Sequence, residues 1–282
     1  SIKEGAAHDC VLGVLERRIS ASVEWGQCVA LGMIELDEIA LEKGHRNFVT
    51  VVTARLANGR VAILAVLPER QKDPVVEFLR SIPERLKQSI HTVCCDMYEG
   101  FSEAVREDMG QARIVIDRFH VARAYRDDLD DLRKQELERS RKELPVAEYK
   151  QVKGGLWALR KRPADLDTED RRILRVLFRH APKLKQAHDL QQQLTAIFDQ
   201  PISPTSAKTK IRAWIKRIAR SELRCFDKFI NTLGRWWNEI TNYFVNRQSS
   251  EFVEGPNNKP QGAQAALLWV VQPQASFPTH LP

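Results

Sequence analysis

The chain has 282 residues, with 44 Lys and Arg against 37 Asp and Glu, a net charge of +7 at neutral pH. With 43% hydrophobic and 29% charged residues it can bury the core of one large or two ordinary domains, which excludes the disordered and fibrous classes. Its longest apolar runs, around 61–67 and 265–271, fall far short of the roughly 20 residues that cross a bilayer, so no membrane partner is expected.

Residues 1–28 carry Val11, Leu12, Leu15, Ile19 and Val23 at helical spacing, which predicts a short amphipathic helix. From Val29 the period changes. VALGMIELDEIAL, NFVTVVTARL and GRVAILAVLP read as three strands, with Asn58-Gly59 as a hairpin turn. PVVEFLRSIPERLKQS is helical with a break at Pro83, HTVCCD is a short buried strand ending on an acid, MYEGFSEAVREDM is a helix, and ARIVIDRFHV is a fifth buried apolar run. The order over 29–121 is therefore βββαβαβ. Residues 122–247 are helical and densely charged, with breaks at Gly154-Gly155, Pro163, Pro182 and QPISPTS, and read as an all-α insertion or second domain. A short segment, 248–259, precedes a tail, 260–282, whose 23 residues include no Asp, Glu, Lys or Arg. Five cysteines without a CxxC pair favour a reducing, cytoplasmic compartment and argue against a structural zinc site. The start at Ser1, without Met or a signal-type apolar region, reads as a fragment with sequence missing upstream.

A three-strand meander followed by helix, strand, helix and strand is the order of the ribonuclease-H-like fold, so the expected class is α/β with a large all-α insertion. In that order a carboxylate on the first strand lies beside one at the end of the fourth, here Asp37 and Asp96. Three carboxylates from separate elements can hold two Mg²⁺ ions about 3.5 to 4 Å apart, because such ions take hard oxygen ligands. An Asp ending an apolar strand costs several kcal/mol if buried unpaired, so Asp96 needs a strand end, a metal or a cation. An ordinary strand-terminal Asp capping a helix that begins at Met97 satisfies the same residues, and spacing alone leaves both readings open.

LDEIALEKGHRNFVTVVTARL, VCCDMYEGFSEAV, VIDRFHVARAYRDDLDDLRKQE and FVEGPNNK resemble, in order, the signature blocks of DDE transposases of bacterial insertion sequences, of the ISL-three family. The resemblance covers about residue 8 to Lys259. It implies that Asp37, Asp96 and Glu254 are the catalytic acids and the ligands of two Mg²⁺ or Mn²⁺ ions. The 59- and 158-residue intervals between them suit a helical insertion before the last acid. It also implies an enzyme that cleaves DNA and transfers strands at the ends of an insertion sequence. Double-stranded DNA would be its partner, a homo-oligomer would form when two ends are synapsed, and the protein would be cytoplasmic and nucleoid-associated. An inactive DNA-binding remnant and a structure-specific nuclease of the same fold are the alternatives. The zinc-binding and helix-turn-helix segments usual at the N-terminus of the family have no counterpart in these residues.

Further positions follow from the same blocks. Asp117 and His120 in DRFH resemble an acid-x-x-His motif beside the active site, though a strand-end Asp and a packed His explain them equally. Glu38 should face away from Asp37, since neighbouring strand residues alternate, and so support the site or meet solvent. Glu251 would share a helix face with Glu254, which is preferred because it sits in the VEG block. Lys43, His45 and Arg46 read as a hairpin touching phosphate or solvent. In KTKIRAWIKRIAR, six basic residues (Lys208, Lys210, Arg212, Lys216, Arg217 and Arg220) without an acid make the best candidate for DNA backbone contact, or else a solvated face. Trp157, Trp236 and Trp237 are expected in the helical core. Past Lys259 the family continues with a basic helix resembling KVLKRRCYGLF. Codons can be chosen for Gln261 to Val271 that spell this series up to its Leu one nucleotide later. A frameshift is therefore expected, with Pro256 and Pro260 cutting the Glu254 helix short and impairing activity.

Overall fold

The computed structural model describes Val23 and residues 25–40, 48–56, 61–68, 70–152 and 155–247. The helix expected over 1–28 lies outside the described residues, apart from its last few, where Trp25–Gln27 form a 3-10 turn. Segments 248–259 and 260–282 lie outside them altogether. The chain divides into two compact units, one ending at Asp117 and the other running Arg118–Arg247.

The first unit is built on a five-stranded sheet of order β3-β2-β1-β4-β5. β1 (Met33–Ala40), β2 (Phe48–Arg55) and β3 (Val61–Pro68) are antiparallel neighbours, as short connections require. β4 (Thr92–Cys95) and β5 (Arg113–Ile116) add in parallel on the other side of β1. Central position explains why FVTVVTAR is buried at its six inner residues, and why TVCC is apolar or small throughout: these strands are covered on both faces. Ile34, Val52, Val93 and Ile116 are fully buried.

Helices α1 (Lys72–Ser81) and α2 (Glu84–Lys87) are separated at Pro83, which lacks the N–H to continue a helix. α3 (Glu99–Asp108) packs beside α1, with Lys72 3.0 Å and Arg80 2.7 Å from Glu107. α3 begins at Glu99, after Tyr98, so Asp96 is not its cap. A Cβ at Gly100 would come to 2.5 Å from the Tyr98 ring, so any other residue there would displace that ring. The fifth apolar run is shorter than its sequence suggests. Pairing stops at Ile116, the Asp117 N–H donates to the Cys95 carbonyl at 2.8 Å, and a helix opens at Arg118.

The second unit is helical: α4 (Arg118–Glu143), α5 (Val146–Val152), α6 (Gly155–Arg160), α7 (Thr168–His180), α8 (Pro182–Asp199), α9 (Pro204–Ser221), α10 (Asp227–Arg235) and α11 (Trp237–Asn246). The last long periodic segment is thus three helices. α9 ends at Glu222, which adopts a left-handed φ of 57°, without a Gly or Pro to announce it. Trp214 fills the centre, its Nε1–H donating to the Leu190 carbonyl at 2.8 Å and its ring 5.6 Å from Phe226. Trp236 is buried as well, whereas Trp157 is 69% exposed, contrary to expectation. It stands on the short α6 with the Arg160 guanidinium 6.0 Å from its ring.

Two helix ends are capped by side chains from elsewhere in the unit. α10 has no side-chain cap of its own, and Asp128 of α4 accepts the Phe229 N–H at 3.0 Å. Arg247 donates to the Phe198 and Asp199 carbonyls at 3.0 and 3.2 Å, satisfying groups that the end of α8 leaves open. Burial holds the Asp128 carboxyl above the usual Asp value, opposed by the Phe229 hydrogen bond. Asp128→Ala orphans that N–H and should cost about 1–3 kcal/mol in chemical denaturation. Asp128→Asn, which still offers an acceptor, should lose clearly less; equal losses would show that the cap contributes nothing.

His188 is buried against the Phe178 ring at 5.3 Å. Burial pushes its pKa below the ordinary histidine value, with Lys185 acting in the same direction and Asp189 against it. The unfolded chain therefore binds a proton that the folded one resists. Stability from this group is present above the ordinary value and is lost as pH falls below it. Melting temperature should drop between pH 7.5 and 5.5, and His188→Gln should show a smaller drop over the same interval.

Candidate active site

The parallel half of the sheet sets the geometry. Leu36 of β1 stands opposite Cys95 of β4, and Cys95 opposite Ile116 of β5. The next residues are Asp37, Asp96 and Asp117, so three acids follow the last in-register positions of three adjacent strands. Neighbouring strands are about 4.8 Å apart, which places Asp37 beside Asp96 and sets Asp117 one strand further on. Asp96 and Asp117 are 7% and 5% exposed. Asp37 is half-buried, and its Oδ1 accepts the Glu38 N–H at 2.8 Å.

A cation stands against Asp96. Arg70, in the turn between β3 and α1, places Nε 2.6 Å from Glu38 Oε2 and donates from Nη2 to Asp96 Oδ2 at 2.8 Å. Its guanidinium carbon lies 4.4 Å from the centre of the Tyr98 ring. The Arg70 side chain is 35% exposed, so screening leaves about 1 kcal/mol or less for each pair. Glu38 is thus linked to Asp96 through one guanidinium. β4 pairing ends at Cys95, and Asp96 no longer has to follow strand alternation.

Sequence reasoning missed Arg70. The requirement that a buried Asp96 find a cation pointed to such a residue, but nothing local identified which one. It also missed Glu35, which is 8% exposed and accepts the Thr53 hydroxyl at 3.3 Å across the β1–β2 pair. Its spacing of two from Asp37 puts both on one sheet face, a signal that alternation in MIELDEIA could have supplied.

Glu254, Glu251, Lys43, His45 and Arg46 lie outside the described residues. Asp117 closes the sheet unit, while His120 lies in the first turn of α4, half-buried, with its ring edge-on to Phe119 at 5.7 Å. Among the described residues, no three His, Cys, Asp or Glu side chains gather closely enough to hold a metal ion. On α9, Ile211, Trp214 and Ile218 are buried, while Lys210, Arg212, Lys216, Arg217 and Arg220 are exposed and Lys208 is half-buried. Arg212 stands over the Trp237 ring at 5.1 Å, and Arg217 donates to Gln193 at 2.7 Å. No helix among the described residues is long and apolar enough to cross a membrane.

The family model of the ISL3 group of DDE transposases, described as transposase, matches residues 34–266. The chain belongs to this family. The match includes Asp37, Asp96 and Glu254, and it ends inside the charge-free stretch. The transposase for insertion sequence element IS1001 of Bordetella parapertussis is 26% identical over 242 residues. That alignment covers 86% of this chain and 58% of the relative, so this ISL3-family transposase chain spans less than two thirds of the relative's length.

Proposed function

We propose that this chain carries the catalytic centre of an insertion-sequence transposase. In this reading Asp37, Asp96 and Glu254 hold two divalent cations, Mg²⁺ or Mn²⁺, for DNA cleavage and strand transfer. The observation that carries the reading is that Asp37 and Asp96 each follow directly on Leu36 and Cys95, the last paired positions of the parallel β1–β4 ladder. The strand order supports a ribonuclease-H-like core over 29–121, with 122–247 as its insertion and 248–259 returning the last acid. The two carboxylates fit a divalent cation: both are hard oxygen donors, and Asp96 already binds a positive group. Bound there, divalent cations would activate the attacking oxygen and stabilise the leaving oxygen of a phosphodiester.

The protein's own part is to hold and orient. β1 and β4 set the two carboxylates on neighbouring strands, Asp117 ends β5, and Glu38 is joined to Asp96 through Arg70. His120 would orient the DNA strand beside these acids. The exposed face of α9, with Lys43, His45 and Arg46, would neutralise backbone phosphates of transposon ends and target. No covalent protein intermediate is needed, since the phosphodiester is exchanged directly onto water or a 3′ hydroxyl. Synapsis of two ends calls for a homo-oligomer, and the substrate places the enzyme in the cytoplasm on the nucleoid. Residues after Lys259 would hold this chain's activity below that of a version carrying the basic series. The codons for Gln261 to Val271 decide whether a frameshift produced them.

Incubation with a pre-cleaved end duplex, target DNA and Mn²⁺ should give joined product. Asp37→Asn, Asp96→Asn and Glu254→Gln should each reduce it at least about 100-fold, the upper range for losing even a partner of a metal ligand. Full activity in Asp96→Asn would refute the assignment, and cleavage without joining would favour a nuclease. Separately, Lys216→Ala, Arg217→Ala and Arg220→Ala together should flatten the slope of log affinity against log salt by about 2 to 3, near 0.9 per lost phosphate contact. An unchanged slope would make α9 a solvated face.

A further inference from the structure

We propose that Arg70 is a built-in counterion that bridges Asp96 and Glu38 at rest and competes with divalent metal for Asp96. The inference rests on reading Asp37 and Asp96 as metal ligands. Arg70 donates to Asp96 Oδ2 at 2.8 Å while its Nε lies 2.6 Å from Glu38 Oε2, so one guanidinium neutralises two acids on different strands. A metal ion on the Asp96 carboxylate would sit about 2.0 to 2.6 Å from its oxygen, leaving a dication and the guanidinium within about 5 Å of each other. Like charges at that separation repel, so each cation weakens the other's hold on Asp96.

Arg70 is placed to be the one that moves. It lies in the turn between β3 and α1 rather than within an element, and a third of its side chain is exposed. Its resting position is defined by the Tyr98 ring at 4.4 Å, which is itself packed edge-on to Phe101 at 5.1 Å above Gly100. Glu38 offers a second anion on which the guanidinium can stay when it leaves Asp96. A residue whose task is only to orient Asp96 for metal would behave in the opposite way, since its loss would weaken metal binding.

Direct titration of the full chain with Mn²⁺, followed by the electron paramagnetic resonance of free ion in the absence of DNA, separates these roles. Arg70→Gln should bind Mn²⁺ at least about tenfold more tightly than the unaltered chain, and Arg70→Lys, which keeps the charge, should stay near it. Tyr98→Leu keeps every charge but removes the platform, and should tighten binding by a smaller factor, about threefold. Unchanged or weaker binding in both Arg70→Gln and Tyr98→Leu overturns the counterion role. Asp96→Asn distinguishes the underlying reading: if it leaves Mn²⁺ binding intact, or if no variant binds, Asp96 is not a metal ligand and both proposals fall.

Discussion

The site depends on parallel pairing between β1, β4 and β5, which brings acids from distant parts of the sequence to one level. Carboxylates so placed are partly or wholly removed from water, and anions in that position require positive charge nearby. Arg70 supplies it from the far side of β1, reaching Asp96 and Glu38 together. The same constraint accounts for the lengths of β4 and β5. Each has four residues and stops on the residue before its acid, because continued pairing would bury the acid in the middle of a covered strand.

The helical unit obeys a related rule with neutral groups. Helix ends leave backbone donors and acceptors open, and here two are met by side chains from elsewhere in the unit. Asp128 of α4 closes the start of α10, and Arg247 closes the end of α8. Trp214 hands its indole N–H to a carbonyl of α8. With its apolar stripe spent on this core, α9 turns its cations outward.

Strands and proline breaks were legible because they are written locally. Alternation, β-branched runs and Pro83 identified β1 to β4 and the α1–α2 boundary, and the absence of acids in α9 marked its exposed face. The end of α9 was not legible, because Glu222 reaches a left-handed conformation without the glycine that usually signals one. The length of β5 was obscured since IVI and the following FHV are equally apolar, and only pairing to Cys95 separates strand from helix. At the site, Asp37 and Asp96 could be named, and the strand order placed them together. Arg70 could not, because a turn arginine becomes a site residue only through contacts 32 and 26 positions away, with Glu38 and Asp96.

If the proposed acids Asp96 and Glu254 act together, the long helical segment between them raises a physical difficulty, since a loose excursion of that length would oppose the return of the chain. Closure entropy grows only as the logarithm of loop length, yet a disordered loop of this size would still cost several kcal/mol. The helical unit reduces that cost by bringing its own ends together. Its first residue, Arg118, is ion-paired with the Asp199 side chain, and its last, Arg247, donates to the backbone carbonyls of Phe198, Asp199 and Gln200. Entry and exit therefore meet at one place, the end of α8. A folded segment with adjacent ends behaves, for the chain that contains it, like a short connection, whatever its length.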